Sequence, residues 1–239
     1  MIPHDTHLHI GSLLFEGIDQ IDLTGPFEVL SRIPNATYRI YGKTAAPVRD
    51  VKGLWLAPDA TLPDAPPLDV LHVPGGYGQE ALMADAEVLG WIRQQAAGAC
   101  VIFSVCTGAL LCGAAGILKG RRATTHWAAS HLLPYFGAIP VNERVVIDGA
   151  WIFTAGVTAG IDGALRLAAE LRGEAAAQSI QLHLVYAPEP PFDSGAPETA
   201  PAAILQQARQ SLRAITARRE ETARRMAAKL GIAIPAGEK

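Results

Sequence analysis

Short apolar runs alternate along the chain with longer segments in which apolar residues recur every three or four positions. The runs predict buried strands at 8–15, 37–42, 68–76 and 100–105. The longer segments predict helices at 22–33, 87–99, 108–118, 126–136, 158–173 and 175–186. Residues 69–73 and 100–105 are apolar on both faces, which is typical of strands that helices cover from both sides. The pattern therefore predicts an α/β fold, an α/β/α sandwich with a mostly parallel central sheet.

The later part of the chain adds three simpler elements. Residues 144–156 predict a β-hairpin that turns at Asp148-Gly149. The segment 187–201 is rich in proline and acidic residues and predicts a surface loop, and 202–230 predicts a long amphipathic helix. We therefore expect a single domain over 1–239, with a core at about 8–186, this loop and a C-terminal helix.

The positive charge of the chain is concentrated in the last helix. The whole chain has a net charge of −3, which gives no general reason to expect nucleic-acid binding. Residues 201–239 nevertheless carry eight Lys and Arg against three Asp and Glu. We interpret 202–230 as a docking helix with a solvated basic face. A nucleic-acid-binding arm is the alternative, and a single helix without a helix-turn-helix partner supports it poorly.

Composition is that of a globular protein. Apolar residues make up 49% and charged residues 18% of 239 residues, and no apolar run approaches the roughly 20 residues of a membrane span. The N-terminus has neither the basic start nor the apolar stretch of a signal peptide. With an odd number of cysteines, at 100, 106 and 112, we expect no disulfide framework and a cytoplasmic location.

Cys106 lies where a strand is predicted to turn into a helix, in the stretch "FSVCTGALLCG". A strand–cysteine–helix turn is the thiol counterpart of the nucleophile elbow, with the small residues Ser104 and Gly108 allowing the tight turn. The positive end of the following helix is expected to favour the thiolate. We therefore predict that Cys106 is a nucleophile, whereas Cys100 and Cys112 fit small buried hydrophobes.

Two further motifs are predicted to reach the same edge of the sheet. The paired glycines of "VPGGYG", Gly75 and Gly76, offer backbone N–H groups that could bind a developing negative charge. Asp22 and Asp19 both follow the first strand; either could carry a proton near the thiol, and either could instead cap a helix. The residues alone do not separate the two.

Histidines do not complete a familiar triad. Thr107, which cannot act as a base at neutral pH, follows the cysteine, so a conventional acyl-transfer base is missing. His4, His7 and His9 lie close together near the N-terminus, but zinc would need further ligands, so we expect no metal site. His72 and His183 stand in apolar contexts and are interpreted as core histidines.

Several motifs together resemble one known superfamily. "DLTGPFEVL", "DVLHVPGG", "SVCTGALLCGAAGIL", "TAGIDGALRLAAEL" and "YAPEPPF" are similar to the DJ/PfpI superfamily, which has the class-I glutamine-amidotransferase-like fold. Within it the sequence resembles the isocyanide hydratases, from about residue 8 into the C-terminal helix. One departure is that a glycine pair of the family reads Ala155-Gly156-Val157 here, which we do not expect to affect the chemistry.

The resemblance implies a homodimeric, flavodoxin-like sandwich that needs neither metal nor organic cofactor. It implies the hydration of an isocyanide, R–N≡C, to an N-substituted formamide through a covalent cysteine thioimidate. The family's nucleophile maps onto Cys106, its acidic residue onto Asp22, and the neighbouring threonine onto Thr107. Its glycine-turn amides map onto Gly75 and Gly76. No membrane or nucleic-acid partner is implied.

Two other functions remain open on the sequence. A cofactor-independent glyoxalase or deglycase can run on a cysteine and a carboxyl on the same fold. A ligand- or redox-sensing domain is the second alternative, because similar domains form the sensor half of AraC-type regulators. The chain after residue 201 is too short for the two helix-turn-helix units of such a regulator.

Overall fold

A central seven-stranded sheet organises the computed structural model, which describes residues 3–233. The strands are β1 Leu8–Leu14, β2 Ala36–Gly42, β3 Val48–Arg49, β4 Trp55–Leu56, β5 Ala60–Thr61, β6 Val70–Val73, β7 Val101–Val105, β8 Arg122–Ala123, β9 Ile139–Pro140, β10 Val145–Asp148 and β11 Trp151–Thr154. The sheet order is β10-β11-β7-β6-β1-β2-β5. All neighbours in it are parallel except the β10–β11 pair. β3 pairs with β4, and β8 with β9, outside this sheet.

Helices cover both faces of the sheet. They are α1 Gln20–Leu30, α2 Gln79–Leu82, α3 Ala86–Gly98, α4 Gly108–Ala114, α5 Ala159–Arg172, α6 Glu174–His183 and α7 Ala202–Leu230, with 3-10 helices at Leu62–Asp64 and Trp127–Phe136. One core cluster joins α3, α4 and α7 to the sheet, and a second joins α1, α5 and α6. Alternate residues of β7 serve the two clusters, Ile102 the first and Phe103 the second. The predicted sandwich with a mostly parallel sheet is therefore confirmed.

The predicted β-hairpin is also present. β10 and β11 pair antiparallel, with Asp148 opposite Trp151, and Gly149 in the turn has a φ of 63°. The last helix covers the predicted range, Ala202–Leu230, and the preceding segment 187–201 contains neither helix nor strand.

Several helix boundaries differ from the predictions for local reasons. α1 begins before Asp22, because Asp19 is its N-cap and accepts the Ile21 N–H. α4 ends at Ala114 rather than 118, just before Gly116 with its φ of 80°. The segment Trp127–Phe136 is a 3-10 helix, not an α-helix, and contains Pro134, which lacks a backbone donor.

Two predictions of burial are wrong. Cys100 is exposed, because it precedes β7 instead of lying in it. His183 is exposed at the end of α6, since that helix buries only Ala177 and Ile180. His72 and Cys112 are buried as predicted. Among the helices of residues 3–233, none is long and apolar enough to cross a membrane.

Candidate active site

Cys106 occupies a sharp turn between β7 and α4. Its φ of 55° lies in the left-handed region, which is uncommon for a residue other than glycine. The side chain is 6% exposed. The strand–cysteine–helix elbow predicted from the sequence is therefore present at the carboxyl end of a parallel strand.

Neighbouring elements hold this strained residue at both ends. The Cys106 N–H donates to the Thr154 carbonyl of β11 at 3.0 Å, and Thr125 Oγ1 donates to the Cys106 carbonyl at 2.7 Å. Gly108 lies so close to the Val73 carbonyl that an added Cβ would clash with it. The small residue after the elbow is therefore required by the close crossing of α4 and β6.

Asp22 and Asp19 occupy different positions, so the structure distinguishes the two candidate carboxyls. Asp19 caps α1, whereas Asp22 in the first turn is fully buried and faces the elbow. Asp22 Oδ2 accepts the Gly75 N–H at 3.0 Å. Its second oxygen, Oδ1, has no hydrogen-bond partner within residues 3–233. Asp22 is thus the carboxyl that the structure places beside Cys106.

The glycine turn after β6 closes the site from the other side. The Gly76 N–H donates to Thr107 Oγ1 at 3.2 Å, and that hydroxyl lies 3.3 Å from the Gly76 carbonyl, to which it can donate. A Cβ on Gly75 would come within 2.6 Å of the Thr107 nitrogen and 2.9 Å of Asp22 Oδ2. Both glycine amides are engaged by protein groups, so an oxyanion role for them requires these hydrogen bonds to be released.

Burial dominates the protonation of the thiol and the carboxyl. Burial raises the pKa of Asp22 to about 8, and the charge of Asp19 adds to this rise. The Gly75 N–H, the neighbouring Cys106 thiol and Arg219 lower this pKa by less. Burial and then the charge of Asp22 raise the pKa of the Cys106 thiol well above its usual range. The prediction that the thiolate is favoured is therefore wrong, because desolvation raises the pKa of Cys106 by more than the N-terminus of α4 can lower it.

Arg219 of α7 is a member of this site that the sequence reasoning missed. Its side chain is 3% exposed and donates from Nη2 to the Gly76 carbonyl at 2.7 Å. Spacing held a signal, because Ile215, Arg219 and Met226 fall at i, i+4 and i+11 on one stripe of the helix. This spacing places Arg219 on the buried stripe of α7 and not on its solvated basic face.

A cavity of about 700 Å³ lies beside Thr125, and neither Cys106 nor Asp22 lines it. Thr125, which bonds the Cys106 carbonyl, lines it, and so do the apolar side chains of Trp127, Val141 and Val157. The segment that departs from the family pattern, Ala155-Gly156-Val157, also lines this cavity.

Histidine contributes no base to this arrangement. His126 lines the cavity, but burial, with a smaller effect of Arg219, lowers its pKa to about 4. His7 hydrogen-bonds Asn35 and Thr37 on the surface. In the part of the chain that the structure describes, no group of three His, Cys, Asp or Glu side chains is arranged to hold a metal ion.

Known proteins are similar to this chain in both sequence and fold. The DJ-1/PfpI family model matches residues 9–170. The chain is 52% identical over 225 residues to the isonitrile hydratase of Pseudomonas putida, covering 94% of this chain and 99% of the relative. A ThiJ/PfpI family protein of Pseudomonas syringae has a crystal structure that superposes with a TM-score of 0.89, at 40% identity and over 91% of each chain.

A regulator is also similar over part of its length. A helix-turn-helix-type transcriptional regulator of Pseudomonas aeruginosa is 32% identical over 153 residues, which are 62% of this chain and 45% of the regulator. The α/β sandwich and the cysteine elbow together define a DJ-1/PfpI-type protein. The chain belongs to the DJ-1/PfpI family. Within that family it is similar over nearly its whole length to an isonitrile hydratase, isonitrile being another name for isocyanide.

Proposed function

We propose that this protein is an isocyanide hydratase, an enzyme that adds water to R–N≡C and releases the formamide R–NH–CHO. The similarity to the Pseudomonas putida enzyme supports the reaction. The observation that carries the chemistry is the contact between a strained, buried thiol and a buried carboxyl whose pKa of about 8 lets it hold or release a proton near neutral pH.

The first step joins sulfur to the terminal isocyanide carbon. In its ionised form, which a pKa of about 8 makes accessible near neutral pH, Asp22 accepts the thiol proton as the Cys106 sulfur attacks, and then delivers it to the same carbon. The S–H bond breaks, and S–C and C–H bonds form. The product is a thioimidate, R–N=CH–S–Cys106, with Asp22 again a carboxylate.

The second step hydrolyses this intermediate. Asp22 takes a proton from water as the oxygen attacks the thioimidate carbon, and passes the proton to nitrogen. The C–S bond then breaks, the hydroxyl proton leaves as the carbonyl forms, and the thiol is regenerated. One carboxyl therefore serves as base and acid in turn, which explains how the site works without a histidine.

Thr107 and the two glycines orient this pair. Gly75 holds Asp22 through its N–H, and Thr107 ties the elbow to Gly76 through its hydroxyl. The absence of a Cβ at Gly75 lets the elbow and the carboxyl approach each other. We assign the R group of the substrate to the cavity beside Thr125, where the apolar side chains of Trp127, Val141 and Val157 can contact a hydrocarbon substituent.

Substrate turnover distinguishes this function from its closest rival on the same fold. The purified protein is given an aromatic isocyanide and, separately, methylglyoxal, and formamide and methylglyoxal are quantified. We expect formamide to accumulate and methylglyoxal to persist. Consumption of methylglyoxal without formamide formation would identify a glyoxalase or deglycase instead.

A homodimer belongs to the same proposal. The end of α6 and the loop after it leave Leu182, Val185 and Phe192 about four-fifths exposed, and a second copy of the chain would cover these side chains. A cytoplasmic location and independence of metals and organic cofactors stay predictions.

A further inference from the structure

Arg219 is buried beside the reactive pair, although the two reaction steps assign it no role. It comes from the C-terminal helix, far in sequence from the elbow. The residues around it on α7, Ile215, Ala223 and Met226, are buried apolar side chains. An arginine in such a position loses most of its hydration and must be satisfied by the protein.

Neutral oxygen atoms accept the hydrogen bonds that the Arg219 guanidinium donates. Arg219 Nε donates to Gln79 Oε1 at 3.1 Å, and Nη2 donates to the Gly76 carbonyl at 2.7 Å. Nη2 also lies 3.5 Å from Thr107 Oγ1. Two of the three partners adjoin the reactive pair. Gly76 follows Gly75, whose N–H bonds Asp22, and Thr107 follows Cys106.

Within the described part of the chain, no carboxylate forms an ion pair with this cation. Among residues 3–233, the ion pairs formed within 4.0 Å do not include Arg219. A buried cation without a paired anion is costly. Glu80 is a charged neighbour that forms no ion pair with Arg219, and Arg219 lowers the pKa of both Asp22 and the Cys106 thiol.

We infer that Arg219 is a positioning residue that holds the glycine turn against Thr107 and supplies the counter-charge when the Cys106–Asp22 pair loses a proton. The inference rests on the proposed use of that pair in hydration. Its physical content is independent of the substrate, because the charge acts on the thiol in the free protein. α7 thus contributes to the chemistry as well as to the core.

The pH dependence of Cys106 alkylation by iodoacetamide measures this effect without any isocyanide. Peptide mass spectrometry isolates the reaction of Cys106 from that of exposed Cys100. In Arg219→Gln or Arg219→Met we expect the midpoint of the alkylation rate against pH to move up by about one pH unit. Below that midpoint, alkylation of Cys106 should be about tenfold slower than in the wild type. Arg219→Lys should recover most of the shift. The uncharged reagent has no attraction of its own to the arginine.

Other charged or titratable groups surround the arginine and the thiol, and they are the same in every variant. They are Asp19, Asp22, Tyr77, Glu80, His126 and Arg218. A shift between variants therefore reports the charge at position 219. Two neutral variants are used because Met fits the apolar stripe even if Gln does not fold.

Arg172→Gln is the matched control. Arg172 is also buried, but its bonds go to backbone carbonyls of Thr6, Pro34, Asn35 and Leu171, away from the elbow. We expect a lower unfolding temperature and an unchanged alkylation profile. A folded neutral variant at 219 with the wild-type profile would overturn the inference. A wild type that hydrates no isocyanide would refute the proposed function while leaving the alkylation result intact.

Discussion

The burial of Asp22, which the proposed chemistry requires, costs the protein stability. The carboxyl is fully buried, keeps one oxygen without a hydrogen bond in residues 3–233, and has a pKa raised to about 8. The unfolded chain ionises the same group near 3.8. Folding must therefore retain a proton that the unfolded chain would lose at neutral pH, which lowers the free energy of unfolding.

Replacing Asp22 by Asn should stabilise the protein while removing the proton carrier. Below pH about 4 the carboxyl is protonated in both states and the two proteins should be equally stable. As pH rises from there to about 8, the wild type loses stability relative to Asp22→Asn, on the order of 4 kcal/mol by pH 7. Urea unfolding at pH 4 and pH 7 measures the difference.

Asp19→Asn provides the comparison for this experiment. Asn is as good an N-cap as Asp, so the cap of α1 should survive. Burial raises the pKa of Asp19 as well, so we expect a gain at pH 7 that is smaller than that of Asp22→Asn, and no gain at pH 4. An equal gain at pH 7 in both variants would show that general surface charge, rather than burial of Asp22, controls the pH dependence.

Sequence reasoning found part of this site. The apolar strand before Cys106 and the small residues around it predict the elbow, because strand ends and tight turns leave local patterns. Asp22 and Asp19 could not be separated by pattern, since both follow one strand and their difference is set by where α1 begins. The high pKa of the thiol depends on burial by distant segments, which no local pattern records.

At the scale of elements, α7 is divided into two unlike halves. Ile215 is 5% exposed and packs in the core, whereas Ile204, eleven residues earlier, is 54% exposed. The second half carries Arg219 into the site. We infer that docking of the second half sets the position of Arg219, whereas the first half lies outside the core of one chain.

The same substitution at both isoleucines tests this division. Ile215→Ala should lower the free energy of unfolding by about 3 kcal/mol, because it leaves a cavity in a packed interface. Ile204→Ala should change it by less than about 1 kcal/mol in dilute protein. Urea unfolding at low micromolar concentration measures both, and equal losses would contradict the division.

Element prediction succeeded where the hydrophobic pattern is long. The main strands, the hairpin and α7 have sustained periodicity, and their positions follow from it. Two-residue strands such as β3, β5 and β8 were missed, because their pairing depends on tertiary neighbours. The 3-10 form of Trp127–Phe136 was also missed, since its apolar spacing is compatible with an α-helix.

At the scale of the whole molecule, apolar surface remains uncovered in a single chain. Leu182 and Val185 at the end of α6 and Phe192 in the next segment are 78–82% exposed. Side chains of this size cluster on surfaces that bind a partner. The proposed homodimer places a second copy there.

Sedimentation equilibrium tests the proposed assembly. The wild type should have twice the 25.3 kDa mass of the chain at micromolar concentration. Leu182→Asp and Phe192→Asp should shift the protein towards the monomer, because a charge buried in an apolar interface is costly. Ile147→Asp, at an exposed position on edge strand β10, is the control. A monomeric wild type would refute the dimer.

The most direct test of the central claim is formamide formation from an aromatic isocyanide by four proteins side by side: wild type, Cys106→Ala, Asp22→Asn and Asp19→Asn. The account predicts turnover by wild type and Asp19→Asn, none by Cys106→Ala, and a loss of at least about a hundredfold in Asp22→Asn. Full turnover by Cys106→Ala, or a greater loss in Asp19→Asn than in Asp22→Asn, would contradict it.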